Sequence, residues 1–225
     1  VLDFGSQYSH LIVRRIRELG VYAELLPPET PAEKLSSYKG IVLSGGPQNL
    51  SQSSALKADP KVYTLGVPVL GICYGMQLMA HQLGGEVKAR EKREYGPTQV
   101  TLTKSPLFAG LKPRQKTWMS HGDQVVKMPK GFVKIAYSSN CPVVGMEYAA
   151  KKMYALQFHP EVIHTTNGTK ILDNFLRISG VSRGWSMKHF VKESISNIKA
   201  QIGSGRALCA LSGGVDSSIA ATMVH

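Results

Sequence analysis

Short apolar runs alternate with amphipathic stretches along this chain, and the runs end in glycine-rich turns. Residues 40–43 lead into Ser44-Gly45-Gly46-Pro47, residues 67–72 into a small-residue turn around Cys73, and residues 207–211 into Ser212-Gly213-Gly214. Such alternation is the pattern of βαβ units around a largely parallel sheet. Residues 9–19 place Leu11, Ile12, Ile16 and Leu19 near helical spacing, and Gly20 ends that helix as a C′ residue does. Residues 21–26 read as the next strand, and 75–83 as a helix closed by Gly84-Gly85. From Glu86 the texture shifts to shorter alternating segments at 98–103, 117–120, Val133–Tyr137 and 143–147, expected as strands joined by turns. A strand at 153–158 ends in His159-Pro160-Glu161, and a helix follows at Gly168–Ile178. The expected fold class is α/β, an open and mostly parallel central sheet flanked by helices, with a small antiparallel β region added.

The small, polar, glycine-rich stretch 179–184 punctuates the chain. The expected organisation is a first domain at 1–180, a linker at 181–186 and the start of a second domain at 187–225. That second part reads as an amphipathic helix at Met187–Ile202, a buried strand at 207–211 and a loop opening another helix. A hydrophobic content of 43% with 19% charged residues is ordinary globular composition and excludes a disordered or fibrous chain. No apolar run approaches the roughly 18–20 residues of a membrane helix. Val1-Leu2-Asp3-Phe4-Gly5 is not a secretory signal, and the chain is expected to start part-way into a strand or to have been trimmed. Cys73, Cys141 and Cys209 are odd in number and far apart, so neither a disulfide framework nor a CxxC metal site is expected, and the cytoplasm is the expected compartment.

The formal net charge of +12 invites a polyanion partner. Its excess is local: residues 85–134 carry 11 basic and 4 acidic side chains. Their aromatic residues form no stacking pattern, so nucleic acid is not expected as partner, and without a membrane-length apolar run neither is a membrane. The stretch is instead expected to meet solvent, a second domain or phosphate-bearing substrates.

Gly71-Ile72-Cys73-Tyr74-Gly75 joins a buried strand to a helix with a nucleophile flanked by small residues. A sharp strand-to-helix turn strains the backbone at its apex and tolerates only small neighbours. The following helix N-terminus stabilises a thiolate. A buried structural cysteine beside a turn fits this segment as well. A thiolate nucleophile needs a base, and the base an orienting group. His159 and Glu161, two apart at a strand end, point to one side and supply both. His164 and His189 have no acidic residue two places on, and His81 falls on a helix face. For an oxyanion, Ser44-Gly45-Gly46-Pro47 offers unhindered N–H groups, and the N–H of Tyr74 is the second expected donor.

These segments, with Asp3-Phe4-Gly5-Ser6-Gln7-Tyr8 and Gln157-Phe158-His159-Pro160-Glu161, resemble the class I (triad) glutamine amidotransferases. Trp118-Met119-Ser120-His121-Gly122-Asp123 and Arg93-Glu94-Tyr95-Gly96 narrow the resemblance to the amidotransferase domain of the glutamine-hydrolysing GMP synthase family, over essentially all of residues 1–180. The resemblance implies that Cys73 attacks the glutamine amide, His159 protonates leaving ammonia and then activates water, and Glu161 orients His159. It implies Gly46 and Tyr74 as backbone oxyanion donors and Gln77, Ser44, Gly45, Ser120, Gly122 and Asp123 as glutamine contacts. His121 is left as structural, because the base role falls to His159. No cofactor or metal is expected for this step.

Ser212-Gly213-Gly214-Val215-Asp216-Ser217-Ser218 precedes a helix and offers an anion cradle, without the lysine of a Walker A loop. It resembles the pyrophosphate loop of the N-type ATP pyrophosphatases, within the adenine nucleotide α-hydrolase-like fold. Such a partner implies ATP with Mg²⁺ and xanthosine monophosphate (XMP) as substrates, ammonia displacing AMP to give GMP, and a homodimer in the full-length family. A chain ending at His225 lacks most of that domain, so it is expected to make no GMP alone. Its tail is then expected to be disordered, or the chain to be one piece of a longer protein. The resemblance also implies a glutaminase that idles until the synthetase is loaded, with Lys92 and Arg93 as candidate docking charges. The alternatives are an amidotransferase serving another acceptor, which the Ser212–Ser218 loop argues against, and a silent regulatory or interaction module, which intact Cys73, His159 and Glu161 argue against.

Overall fold

The computed structural model describes residues 1–224, the side chains of residues 90–93 and 193 excepted. The described residues fall into two compact units, Val1–Ser182 and Arg183–His225. The first unit is α/β. In chain order it contains α1 (Ser9–Glu18), α2 (Ala32–Leu35), β1 (Ile41–Leu43), β2 (Val69–Ile72), α3 (Tyr74–Gln82), β3 (Glu86–Leu102), β4 (Arg114–Lys127), β5 (Val133–Tyr137), β6 (Gly145–Tyr148), β7 (Met153–Leu156) and α4 (Gly168–Ile178). One seven-stranded sheet runs in the order β1-β2-β7-β6-β5-β3-β4. Its parallel part is β1, β2 and β7; every pairing beyond β7 is antiparallel. The antiparallel part is therefore larger than the small addition expected.

Alternation along the three parallel strands divides the core into two layers. Val42, Leu70, Ile72, Tyr154 and Leu156 face one side, against Ile12 and Ile16 of α1 and Ile171, Leu172 and Phe175 of α4. Ile41, Leu43, Val69, Met153 and Ala155 face the other, against Met76, Leu78 and Met79 of α3. The period of two puts each strand's apolar residues into both layers, which is why these strands read as continuous apolar runs. With helices on both faces, the C-terminal ends of β1, β2 and β7 are left to carry loops, and open α/β sheets bind ligands at that edge.

Helix α1 turns on its own amphipathic spacing: Ile12, Val13 and Ile16 are buried, and Arg14 and Arg15 pair with Glu18 on the outside. Gly20 at φ 77° ends it, its N–H bonded to Arg17 O. The predicted strand at 21–26 is not a strand in the structure. It makes one parallel bridge, Leu2 to Leu26, with Asp3 N–H donating to Leu26 O, because the short N-terminal segment wedged between it and β1 cannot build a ladder. The short strands expected at 98–103 and 117–120 are parts of two long ones, β3 and β4. Among the described residues no helix is long and apolar enough to cross a membrane.

The second unit holds α5 (Met187–Ile202) and α6 (Val215–Val224). Residues 181–186 have no regular structure. Ser186 caps α5 through a bond from His189 N–H to its hydroxyl. The predicted buried strand at 207–211 is absent: these residues are irregular, and Leu208 is fully exposed. A strand is held by neighbouring ladders, and no strand lies within residues 183–224 to supply one.

Candidate functional site

The site is built where β1, β2 and β7 end. Cys73 follows β2 and caps α3, with φ 51° and ψ −105°, a region that costs about 1–3 kcal/mol for a residue with a side chain. Its N–H donates to Leu156 O at 2.7 Å, so the β2–β7 ladder reaches into the turn and holds the strained residue. Gly75 is obligatory here, because a Cβ on it would lie 2.3 Å from Leu43 O of β1. The elbow is thus a crossing of backbone over backbone, and the small-x-Cys-x-small pattern is its steric signature.

Beyond β7 the chain brings His159 against the same point. His159 and Glu161 are buried, and His159 Nδ1 lies 2.7 Å from Glu161 Oε1. Cys73 and His159 line one cavity, and the thiol interacts with the imidazole there. Burial pulls the His159 pKa down, but the bonds to Cys73 and Glu161 and their charges outweigh it, and the net shift is well above the ordinary 6.5. Backbone bonds fix the loop: His159 N–H donates to Trp118 O at 3.1 Å, and Thr165 Oγ1 donates to His159 O at 2.6 Å. Gly45 closes over the imidazole, and a Cβ there would stand 3.0 Å from His159 Cε1.

Among the described residues, the N–H groups of Gly46 and Tyr74 donate to no protein acceptor. Tyr74 is the first residue of α3, where an N–H has no carbonyl one turn back. Both residues line a polar cavity of about 330 Å³ that also takes in Cys73, Gln77, Ser120, Gly122 and Asp123. Gln77 Nε2 donates to Asp123 O at 2.9 Å, and Ser120 O lies 3.5 Å from Cys73 Sγ. A second cavity of about 250 Å³, bounded by Ser6, Gln7, Tyr8 and His159, reaches Cys73 from the other side.

Ser44 and Gly45 do not line the 330 Å³ cavity. The Ser44 hydroxyl accepts from Phe4 N–H at 3.0 Å and donates to Gly45 O, bracing the loop from behind. Several contributors escaped the sequence reading. Gln157 is buried with Nε2 3.8 Å from Cys73 Sγ; an amide inside an apolar strand end was the available signal. Arg15 on α1 donates from Nε to Glu161 O at 3.1 Å, and Tyr8 meets the His159 ring edge-on at 5.2 Å between centroids. Pro47, Gln48, Asn49, Tyr95 and His121 complete the cavity wall. Of the basic residues singled out as docking charges, Lys92 and Arg93 lie outside the described side chains, as does the first residue of the Arg93-Glu94-Tyr95-Gly96 segment.

Ser212, Gly213, Gly214, Val215, Asp216, Ser217 and Ser218 belong to the second unit and open α6. The loop is tied by its own hydroxyls: Ser212 Oγ lies 3.0 Å from Ser217 Oγ, and Ser217 and Ser218 donate to Gly214 O.

Residues 1–178 match the family model for glutamine amidotransferase class-I. Over its whole length the chain is 53% identical to a glutamine-hydrolyzing GMP synthase of Carboxydothermus hydrogenoformans and 51% identical to one of Acetivibrio thermocellus. It spans 45% of each of those relatives, less than half their length. Among solved structures it is similar to a GMP synthase component from Thermoplasma acidophilum, with a TM-score of 0.74 at 34% identity over 80% of this chain and 92% of the other. A glutamine amidotransferase from Thermotoga maritima shares the fold, with a TM-score of 0.61 at 22% identity over 89% of this chain and 83% of the other. With the matched model spanning the whole sheet and the residues around Cys73, the chain belongs to the class-I glutamine amidotransferases.

Proposed function

We propose that residues 1–182 hydrolyse L-glutamine to glutamate and ammonia, and that the ammonia is used by an ATP-dependent synthetase portion of a longer protein to convert XMP to GMP. The observation that carries the first half is the line of contacts from Cys73 through His159 to Glu161, opening on a polar cavity of about 330 Å³. That volume suits an amino acid of glutamine's size.

Cys73 Sγ, as thiolate, attacks the side-chain amide carbon of glutamine. The N–H groups of Gly46 and Tyr74 take the oxyanion. His159 gives its proton to the leaving nitrogen, the C–N bond breaks, and ammonia departs from a thioester. His159 then takes a proton from water, whose oxygen attacks the thioester carbon. Collapse releases glutamate and returns the thiolate and the protonated imidazole. Glu161 keeps the ring oriented and stabilises its cationic form. In this reading Gln77, Ser120, Gly122 and Asp123, which line the cavity, contact the amino-acid end.

For the second half, the support is similarity to GMP synthases over the full chain, including the segment that carries Ser212–Ser218. The first turn of α6 presents N–H donors suited to a pyrophosphate, with Mg²⁺ and ATP as its natural ligands. Ammonia release from L-glutamine tests the first half. The wild-type chain is expected to exceed Cys73→Ala by on the order of 10³-fold or more. Equal rates overturn it.

A further inference from the structure

His121 lies in the segment that walls the cavity, yet it is not the base. Its side chain and that of Glu94 are 1% and 3% exposed. The β3–β4 pairing is irregular at this place: Glu94 pairs with His121 and Ala89 with Asp123, with a register shift between Ala89 and Glu94. The ladder alone therefore does not set the path of β4 through residues 121–123. The imidazole does so from within. Its Nδ1 lies 3.1 Å from Asp123 O and its Nε2 lies 3.2 Å from Glu94 Oε2. Glu94 Oε1 in turn accepts from Ser138 Oγ at 3.0 Å.

A main-chain carbonyl only accepts, so Nδ1 must carry a proton. Burial raises the Glu94 pKa, but bonds from His121, Ser138 and Asn140 outweigh it and leave it lowered, which favours the carboxylate. Cys141 Sγ also lies near, and one donor atom each from Glu94, His121 and Cys141 fall within 4.8 Å of one another. With Nδ1 already bonded to Asp123 O and Nε2 to Glu94 Oε2, the ring has no free nitrogen to offer a metal, which argues for a hydrogen-bonded pair over a metal site. Asp123 O, bonded to His121, also receives Gln77 Nε2. The pair is thus one bond away from two cavity residues.

We propose that Glu94 and His121 form a buried positioning pair, which holds Ser120–Asp123 in the shape that binds glutamine. This rests on the glutaminase reading above. Glu94→Gln takes the carboxylate away from the ring. Its KM for glutamine is expected to rise about tenfold with kcat held within about twofold, the size expected for one bond to a charged group. Glu94→Asp should recover part of that. The fraction of Cys73 that reacts with iodoacetamide should stay at the wild-type level, which a merely loosened fold would lower. Nitrogen-15 NMR of the ring should show the His121 Nε2 resonance move in Glu94→Gln, where the bond to the carboxylate is gone.

A His121 Nε2 resonance that does not move overturns the proposal, as does an unchanged KM, or activity lost in step with reactive Cys73. One equivalent of tightly bound zinc in the wild type, absent from Glu94→Gln, overturns it in favour of a metal site. A wild-type chain that does not turn over glutamine defeats the glutaminase reading instead, and the NMR measurement still decides this one.

Discussion

A buried histidine is normally neutral, and His159 is held cationic by what surrounds it. Its carboxylate partner Glu161 is 1% exposed, and the second oxygen of that carboxylate, Oε2, has no hydrogen-bond partner in the protein. The charge of Glu161 therefore acts almost wholly on the ring. Since the folded pKa of His159 lies above 6.5, the stability it contributes is fully present below that value. It is lost as pH rises through the raised folded pKa. Glu161→Gln removes the charge and keeps the shape. The stability advantage of wild type over Glu161→Gln, measured by urea unfolding, should be largest near pH 6 and shrink toward alkaline pH; an advantage that grows with pH contradicts this. The same substitution should lower kcat by on the order of 10²–10⁴-fold, as expected when the orienting carboxylate of a triad is neutralised. KM for glutamine should stay nearly constant, because Glu161 is not a wall of the 330 Å³ cavity.

At the level of elements, the strand–elbow–helix unit was legible because its rule is steric. Gly71 and Gly75 flank Cys73, and each would drive a Cβ into backbone, at 2.7 Å from Gly75 O and 2.3 Å from Leu43 O respectively. Gly75→Ala should therefore cost at least about 3 kcal/mol, since neither the α3 nor the β1 main chain can yield cheaply. For a unit of this size that is a fall of roughly 6–12 °C in Tm, read by thermal unfolding. A shift below about 2 °C contradicts the crossing geometry. The long β3–β4 ribbon was not legible, because Lys, Arg and Glu between residues 86 and 94 hide the alternation that marks a strand. The strand expected at 207–211 failed for a different reason. Its apolar residues announce burial, and burial needs neighbours that residues 183–224 do not contain. Gln157 and Arg15 were missed because each acts through a contact more than 80 residues away, which no local pattern encodes.

The molecule as a whole is two units with unequal means of support. Residues 1–182 have two core layers and a seven-stranded sheet, and residues fully buried on both faces of β2 and β7. In residues 183–224, α6 buries no residue, and Leu208, Leu211, Val215 and Ile219 are exposed. A segment of that length cannot bury enough apolar surface to offset the entropy of ordering its chain. The chain spans 45% of the length of the relatives it matches. Amide hydrogen exchange separates the two regimes. Amides of Val69–Ile72 and Met153–Leu156 should exchange only through global opening, with the free energy of unfolding of the first unit. Amides of residues 205–214 should exchange at nearly the rate of an unstructured peptide, and those of α5 and α6 should be protected weakly, through local fraying. Uniform protection across residues 187–224, equal to that of the β2–β7 ladder, contradicts this and shows that the second unit is stable as it stands. Where a longer chain covers these exposed positions, protection should rise at Leu208, Leu211 and Ile219 while β2 and β7 stay as they were.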